Sequence, residues 1–243
     1  MKRTLAMLAG IALVLAVTAA RAADTPPPPS EPYQLALLRR GPGWTPGRSA
    51  RNDTIQARHM ANTRRMFDAG ELHAAGPFGD DTPLRGLFIL RTDSARYVSP
   101  MLQGDSALAT GRLRAELHRW HGPAGIGRAY RERMAGANPP RDSMVSYAFV
   151  MLRRGPRYTS NFTPGVRKLL GKHARNIERL RRESRLVAAG PVEGMGDLRG
   201  ILIFDADTTT ARRLVSKDPA VRGGRFVAEI HPWWTAYGII PGH

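Results

Sequence analysis

A chain of 243 residues, 42% of them hydrophobic, can fold as one large domain or two small ones, and composition does not choose between these. Cysteine is absent, which excludes disulfides, thiolate metal sites, a cysteine nucleophile and a lipoprotein anchor, so stability has to come from packing. The net charge of +17 favours anionic partners, but the arginines are spread over both halves without a stripe or aromatic platforms, so nucleic acid is not an expected partner.

The chain opens with Met1, Lys2 and Arg3, continues through an apolar run over residues 5–17 and reaches Ala20-Arg21-Ala22. That order predicts a secretory signal peptide over residues 1–22, because the run is shorter than the ~20 residues a bilayer span needs. The mature chain is then expected to be periplasmic or secreted and free of the membrane. Loss of Lys2, Arg3 and Arg21 would leave it a net charge of +14. Residues 23–32, with four consecutive prolines at 26–29, read as an extended linker.

The first strand is predicted over residues 33–39, ended by Gly41-Pro42. A helix follows from Asn52 or Asp53 as N-cap to a stop at Gly70. Strands over 71–75 and 84–91 form a hairpin, a shorter helix begins near Asp93, and a last strand covers 112–120. Residues 121–142, with Pro139-Pro140 and a short helix over 126–134, form a connector.

The pattern then recurs. A strand over 145–153 precedes a helix on which Val166, Leu169, Leu170, His173, Ile177 and Leu180 make one apolar stripe. Strands over 185–189 and 198–205, a helix near Asp207 and a strand over 225–233 complete it. A constant offset of 114 places Leu38-Arg39-Arg40-Gly41-Pro42 on Leu152-Arg153-Arg154-Gly155-Pro156, and His59, Asn62 and Arg65 on His173, Asn176 and Arg179. It also places Ala74-Ala75-Gly76-Pro77 on Ala188-Ala189-Gly190-Pro191. After one net deletion, Asp105, His118 and Trp120 fall on Asp218, His231 and Trp233.

So many matches in one register indicate an internal duplication. The expected fold is α+β, with two tandem ferredoxin-like (βαββαβ) modules over residues 33–120 and 143–239 pairing as an intramolecular dimeric α-β barrel.

Several words carry a family resemblance: His173 to Leu180 as H-x-x-N-I-x-x-L, Leu186 to Pro191 as L-x-A-A-G-P, Leu198 to Ile201 as L-R-G-I, then Asp218-Pro219 and Pro232-Trp233. The chain resembles YCII-related (YciI-like) domains of the dimeric α-β barrel superfamily, twice over. The first copy departs from the pattern, with Asp105-Ser106 and Arg119-Trp120 in place of Asp-Pro and Pro-Trp. The resemblance implies a cleft with a histidine and an aspartate of suggested catalytic role. One kind of relative removes chloride from a hydroxylated aromatic ring, whereas related barrels include haem enzymes and ligand-binding proteins.

His59 and His173 lie on the inward stripe of the first helix of each copy. Each is either a satisfied core histidine or, beside a carboxylate, a general acid or base. Asp105 and Asp218, in the turn before the last strand, either orient those imidazoles or only cap local backbone. Arg39 and Arg153 are the expected anion ligands, since alternation along the first strand sends one of each Arg-Arg pair inward.

His118 and His121 have a spacing that is no recognised metal site, and Trp234 replaces the second histidine in the other copy, so no metal is expected. No cofactor motif, phosphate loop, H-E-x-x-H or G-x-S-x-G is found. The readings left open are an acid/base enzyme for a small anionic or aromatic compound, a non-catalytic small-ligand or haem-binding module, and a scaffold. The more apolar stripe and the retained family words favour His173 over His59 as the working histidine.

Overall fold

The computed structural model describes residues 29–91, 95–138, 141, 143–183 and 185–241. The expected leader, most of the linker, Asp93 and Pro139-Pro140 lie outside these residues. The order is β1 (Ser30–Arg40), α1 (Ala50–Asp68), β2 (Leu72–Pro77), β3 (Leu84–Leu90), α2 (Ala95–Gln103), α3 (Ser106–Ala109) and β4 (Leu113–Pro123). After α4 (Arg128–Met134) come β5 (Met144–Arg154), α5 (Pro164–Arg182), β6 (Leu186–Pro191), β7 (Leu198–Phe204), α6 (Thr208–Val215), α7 (Pro219–Arg222) and β8 (Phe226–Ala236). None of the described helices is long and apolar enough to cross a membrane.

Local chemistry sets the helix starts. Ser49, not Asn52 or Asp53, caps α1: its hydroxyl accepts the Asn52 N–H at 3.1 Å. Asn52 instead turns inward, giving its amide to the Gly47 carbonyl and accepting Arg112 Nη1 at 2.9 Å. Asp207 caps α6 as expected, and Thr163 followed by Pro164 starts α5. Gly70, at φ 70°, turns the chain out of α1.

The strands form two four-stranded antiparallel sheets, ordered β2-β3-β1-β4 and β6-β7-β5-β8. Both orders, and the helices between them, match two ferredoxin-like modules. Alternation gives each sheet two apolar faces. One face packs under its own helices. The other, carrying Tyr33, Leu35 and Leu37 in the first half and Phe149, Met151 and Ile203 in the second, joins one core drawn from both halves.

The sheet edges also meet. Bridges join Phe78 to Trp233 and Trp120 to Val192, the Gly79 N–H donates to the Pro232 carbonyl, and the Glu193 N–H donates to the Arg119 carbonyl, each of the last two at 2.8 Å. At these junctions β2 crosses β8 and β6 crosses β4 with no room for a side chain. A Cβ on Gly76 would overlap the Trp234 carbonyl oxygen, and one on Gly190 would overlap the His121 carbonyl oxygen.

Because the obstructing atoms are backbone, neither neighbour can swing aside. Gly190→Ala is therefore expected to cost about 1–3 kcal/mol in urea unfolding. Gly196→Ala, whose Cβ would meet nothing within 4 Å, should stay within about 0.5 kcal/mol of the parent. Equal effects of the two substitutions would contradict the close crossing.

Candidate functional site

On α1, His59, Asn62 and Arg65 recur at three-residue intervals and share a face. They converge on Asp105, which is fully buried at the start of α3. His59 Nδ1 lies 2.7 Å from Asp105 Oδ2, and Asn62 Nδ2 donates to the same oxygen at 3.4 Å. Arg65 Nε in turn donates to Asn62 Oδ1 at 3.1 Å. The other carboxylate oxygen, Oδ1, accepts the N–H groups of Ala107 and Leu108, so Asp105 is also the N-cap of α3.

The second half repeats the arrangement. His173 Nδ1 is 2.9 Å from Asp218, Asn176 Nδ2 donates to Asp218 Oδ2 at 2.8 Å, and Arg179 Nη2 donates to Asn176 Oδ1 at 2.9 Å. Asp218 caps α7 through the Ala220 N–H. Both aspartates thus meet an imidazole and cap a helix at once; Asp105 divides the two duties between its oxygens, whereas His173 Nδ1 lies 2.9 Å from both oxygens of Asp218.

Burial by itself would raise the pKa of Asp105. Bonds from His59, the Leu108 N–H and Asn62 outweigh it and hold the carboxyl below its ordinary value. Asp218 is held down in the same way, by His173, Asn176 and the Ala220 N–H against burial. An ionised carboxylate only accepts, so Nδ1 carries the proton in each pair. In the neutral ring this leaves Nε2 as a lone pair, able to take a proton or bind a metal.

The halves differ in what surrounds the imidazole. A cavity of about 560 Å³ opens on His59, floored by Leu38, Phe67 and Phe88 and walled by Trp44, His73, Tyr130 and the chain near Thr235 and Ile239. Arg64, Arg85 and Arg112 also line it. His173 is not part of this cavity, although the sequence favours it. The reason lies in the stripe itself: Leu170 and Ile177 pack onto the second core at the places where Gln56 and Thr63 line the cavity in the first half.

Arg39 and Arg153 are not cavity residues either. Each shares the face of its strand that turns toward the common core, where a glutamate of the neighbouring strand takes it up. Arg39 Nε donates to Glu116 at 2.7 Å, and Arg153 Nε donates to Glu229 at 2.5 Å. Alternation turns their neighbours Arg40 and Arg154 to the helix side. There Arg40, Arg85 and Arg112 surround the Trp44 ring, at 5.1, 5.4 and 4.4 Å from its centroid. Arg40 and Arg85 are paired with Asp81, whereas Arg112 donates to Thr45 and Asn52.

His73 was not singled out from the sequence, yet it lines the cavity. Burial, reinforced by Arg131, lowers its pKa and favours the uncharged ring. Its only signal was comparative, since the other copy has the apolar Val187 there.

Of the other described histidines, His231 and His121 bridge the two halves. His231, 3% exposed, sits with Nδ1 2.7 Å from Asp80 and Nε2 3.0 Å from Glu229. His118 pairs with Glu116 alone within its strand, while His121 pairs with Glu193. Among the described residues no group of three or more histidine, aspartate or glutamate side chains is placed to hold a metal ion.

No protein-family profile matches the sequence, and no curated protein does. Solved structures do. The fold is similar to a single-residue variant of chlorite dismutase from Candidatus Nitrospira defluvii, with a TM-score of 0.51 at 11% identity over 86% of this chain and 92% of that one. A second variant of the same enzyme, in complex with cyanide, gives 0.51 at 12% identity over 83% and 90%. A further chlorite dismutase-like chain gives 0.50 at 9% identity over 85% and 94%. At such identities the likeness is one of fold.

The His231 cluster gives a pH dependence. Burial would lower the pKa of His231, but Glu229 and Asp80 outweigh it and raise the pKa above 6.5. Glu229, bonded to His231 and Arg153, is pulled down to about 2. The histidine's contribution is complete below pH 6.5 and is lost as pH rises through the raised pKa. The glutamate's is complete above pH 4.5 and is lost as pH falls toward 2. The urea midpoint is thus expected to fall as pH rises above 6.5, and His231→Asn should flatten that limb. An unchanged slope in the variant would show that the cluster is not linked to folding.

Proposed function

We propose that the two halves close into one eight-stranded α-β barrel and that the cavity beside His59 binds a flat aromatic molecule carrying carboxylate or phenolate groups. One observation carries this reading. The cavity combines an apolar aromatic floor, three arginines and an imidazole whose Nδ1 is anchored to a buried carboxylate. The edge contacts between the sheets support the barrel, and the YCII-like words in the sequence agree with a His–Asp pair as its working centre.

The chemistry follows from the residues. Phe67 and Phe88 stack or pack against a flat body, and Arg112, the rim cation bonded only to neutral oxygens here, takes its carboxylate. His59 Nε2 accepts a proton from an acidic hydroxyl of the ligand, and Asp105 stabilises the imidazolium that forms. Proton exchange of this kind serves binding of the ionised ligand first. It becomes catalysis only if the ligand reacts.

Haem is a second reading, favoured by the same anchored imidazole: metal-binding histidines usually give their other N–H to a carboxylate, as His59 does with Asp105. His59 would hold the iron and Arg64, Arg85 and Arg112 the propionates. Bound haem would supply redox or oxygen chemistry.

Haemin added to the purified protein is expected to give a shifted Soret band that His59→Ala removes and His173→Ala keeps. Salicylate is expected to raise the thermal midpoint, and Arg112→Gln to abolish that rise. A Soret shift surviving His59→Ala would exclude His59 as the iron ligand, and indifference to both compounds would sink the cavity reading.

We further propose export, from the leader over residues 1–22. Protein recovered from the cell envelope should have a mass that begins at Ala23. Retention of Met1 would refute it.

A further inference from the structure

The second half carries its own cluster of arginines around an aromatic ring. Arg154, Arg199 and Arg225 surround Tyr158 at 4.7, 5.9 and 4.7 Å from the ring centroid. By the internal repeat these are the counterparts of Arg40, Arg85, Arg112 and Trp44. What differs is the compensation. In the first half Asp81 pairs with both Arg40 and Arg85. Its counterpart is Met195, which is 85% exposed.

Among the described residues no carboxylate pairs with Arg154, Arg199 or Arg225. Their bonds go to backbone carbonyls alone: Arg154 Nη2 to Met195 at 2.6 Å, Arg225 Nη1 to Thr159 at 3.0 Å, and Arg199 Nη1 to Gly194. Both acids of the same loop are drawn away, Asp197 to Arg153 at 3.2 Å and Glu193 to His121 and Arg119.

The arrangement is costly as it stands. Arg154 and Arg225 each lie 4.7 Å from one centroid, so their charges are no more than twice that distance apart. Arg225 is only 4% exposed, and its Nε, like that of Arg154, is buried with no hydrogen-bond partner. A buried cation with an unmet donor is destabilising unless something pairs with it.

We infer that the Tyr158 cluster is an oxyanion-binding site, in which a phosphate- or sulfate-type group takes the place that the Asp81 carboxylate fills in the first half. Planar guanidinium forks match such tetrahedral oxyanions through paired N–H donors. The site is separate from the His59 cavity, none of whose lining residues belong to the cluster.

The test uses inorganic phosphate and sulfate at fixed ionic strength, with chloride as balance, and reads the thermal midpoint and calorimetric stoichiometry. The intact protein is expected to be stabilised by phosphate and sulfate over chloride, with one phosphate bound per chain. Met195→Asp, a change at an exposed position, should supply the missing carboxylate and weaken phosphate binding about tenfold or more. Arg199→Gln should weaken it as well. Asp81→Asn should do the reverse, opening the first-half cluster and raising the stoichiometry toward two. Arg112→Gln should leave the phosphate response of the parent unchanged, which separates this site from the proposed ligand cavity. No preference for phosphate or sulfate over chloride, or binding that persists undiminished in both Met195→Asp and Arg199→Gln, would overturn the assignment.

Discussion

The crossing of sheet edges at Gly76 and Gly190 is the contact on which the rest of the molecule depends. Backbone meets backbone there, so the two sheets approach more closely than any side chain would permit. That approach covers edges that would otherwise present unpaired N–H and carbonyl groups. It also brings the inner faces of both sheets into one core and carries the end of β8, with Thr235, across to the first half. Without it the cavity would lose a wall, and Asp80 would not reach His231.

Within that shared frame, duplication has produced unequal halves. The Arg–Asn–Asp–His chain is present twice with nearly the same bonds. Around it, a few exchanges alter the chemistry. Gln56 and Thr63 leave space where Leu170 and Ile177 fill it, so of the two aspartate-paired histidines His59, and not His173, lines the 560 Å³ cavity. Asp81 pairs with two arginines of one cluster, and Met195 leaves the other with no carboxylate among the described residues. Polar residues on a helix stripe cost packing energy, and here they fall where a ligand could repay it.

Much of this architecture was legible in the sequence because the repeat doubled every signal. Element order and the strand ends at Gly-Pro follow from local patterns read twice, and so do the candidate residues His59, Asp105, His173 and Asp218, but the partner of each histidine is given only by the fold. Tertiary choices were not legible. Asn52 looks like a cap by type, yet Ser49 holds the helix and Asn52 is drawn inward by Arg112. The α3 and α7 helices are four residues each, too short for periodicity to register. Arg39 and Arg40 are adjacent, and only the strand's facing decides that the second, not the first, reaches the helix side. Asp80 and His231 are 151 residues apart, and nothing local joins them.

The two oxygens of Asp105 answer to different masters. One starts a helix and the other steadies an imidazole, so the residue is needed even by a chain that has abandoned whatever the histidine does. Among sequences sharing this fold, an aspartate in that place would therefore say little about function, since backbone demands alone would preserve it. The histidine has no such backbone duty. Its loss beside a retained aspartate would mark a copy that has kept its shape and given up its chemistry, and its presence in one half only would show which half was still in use.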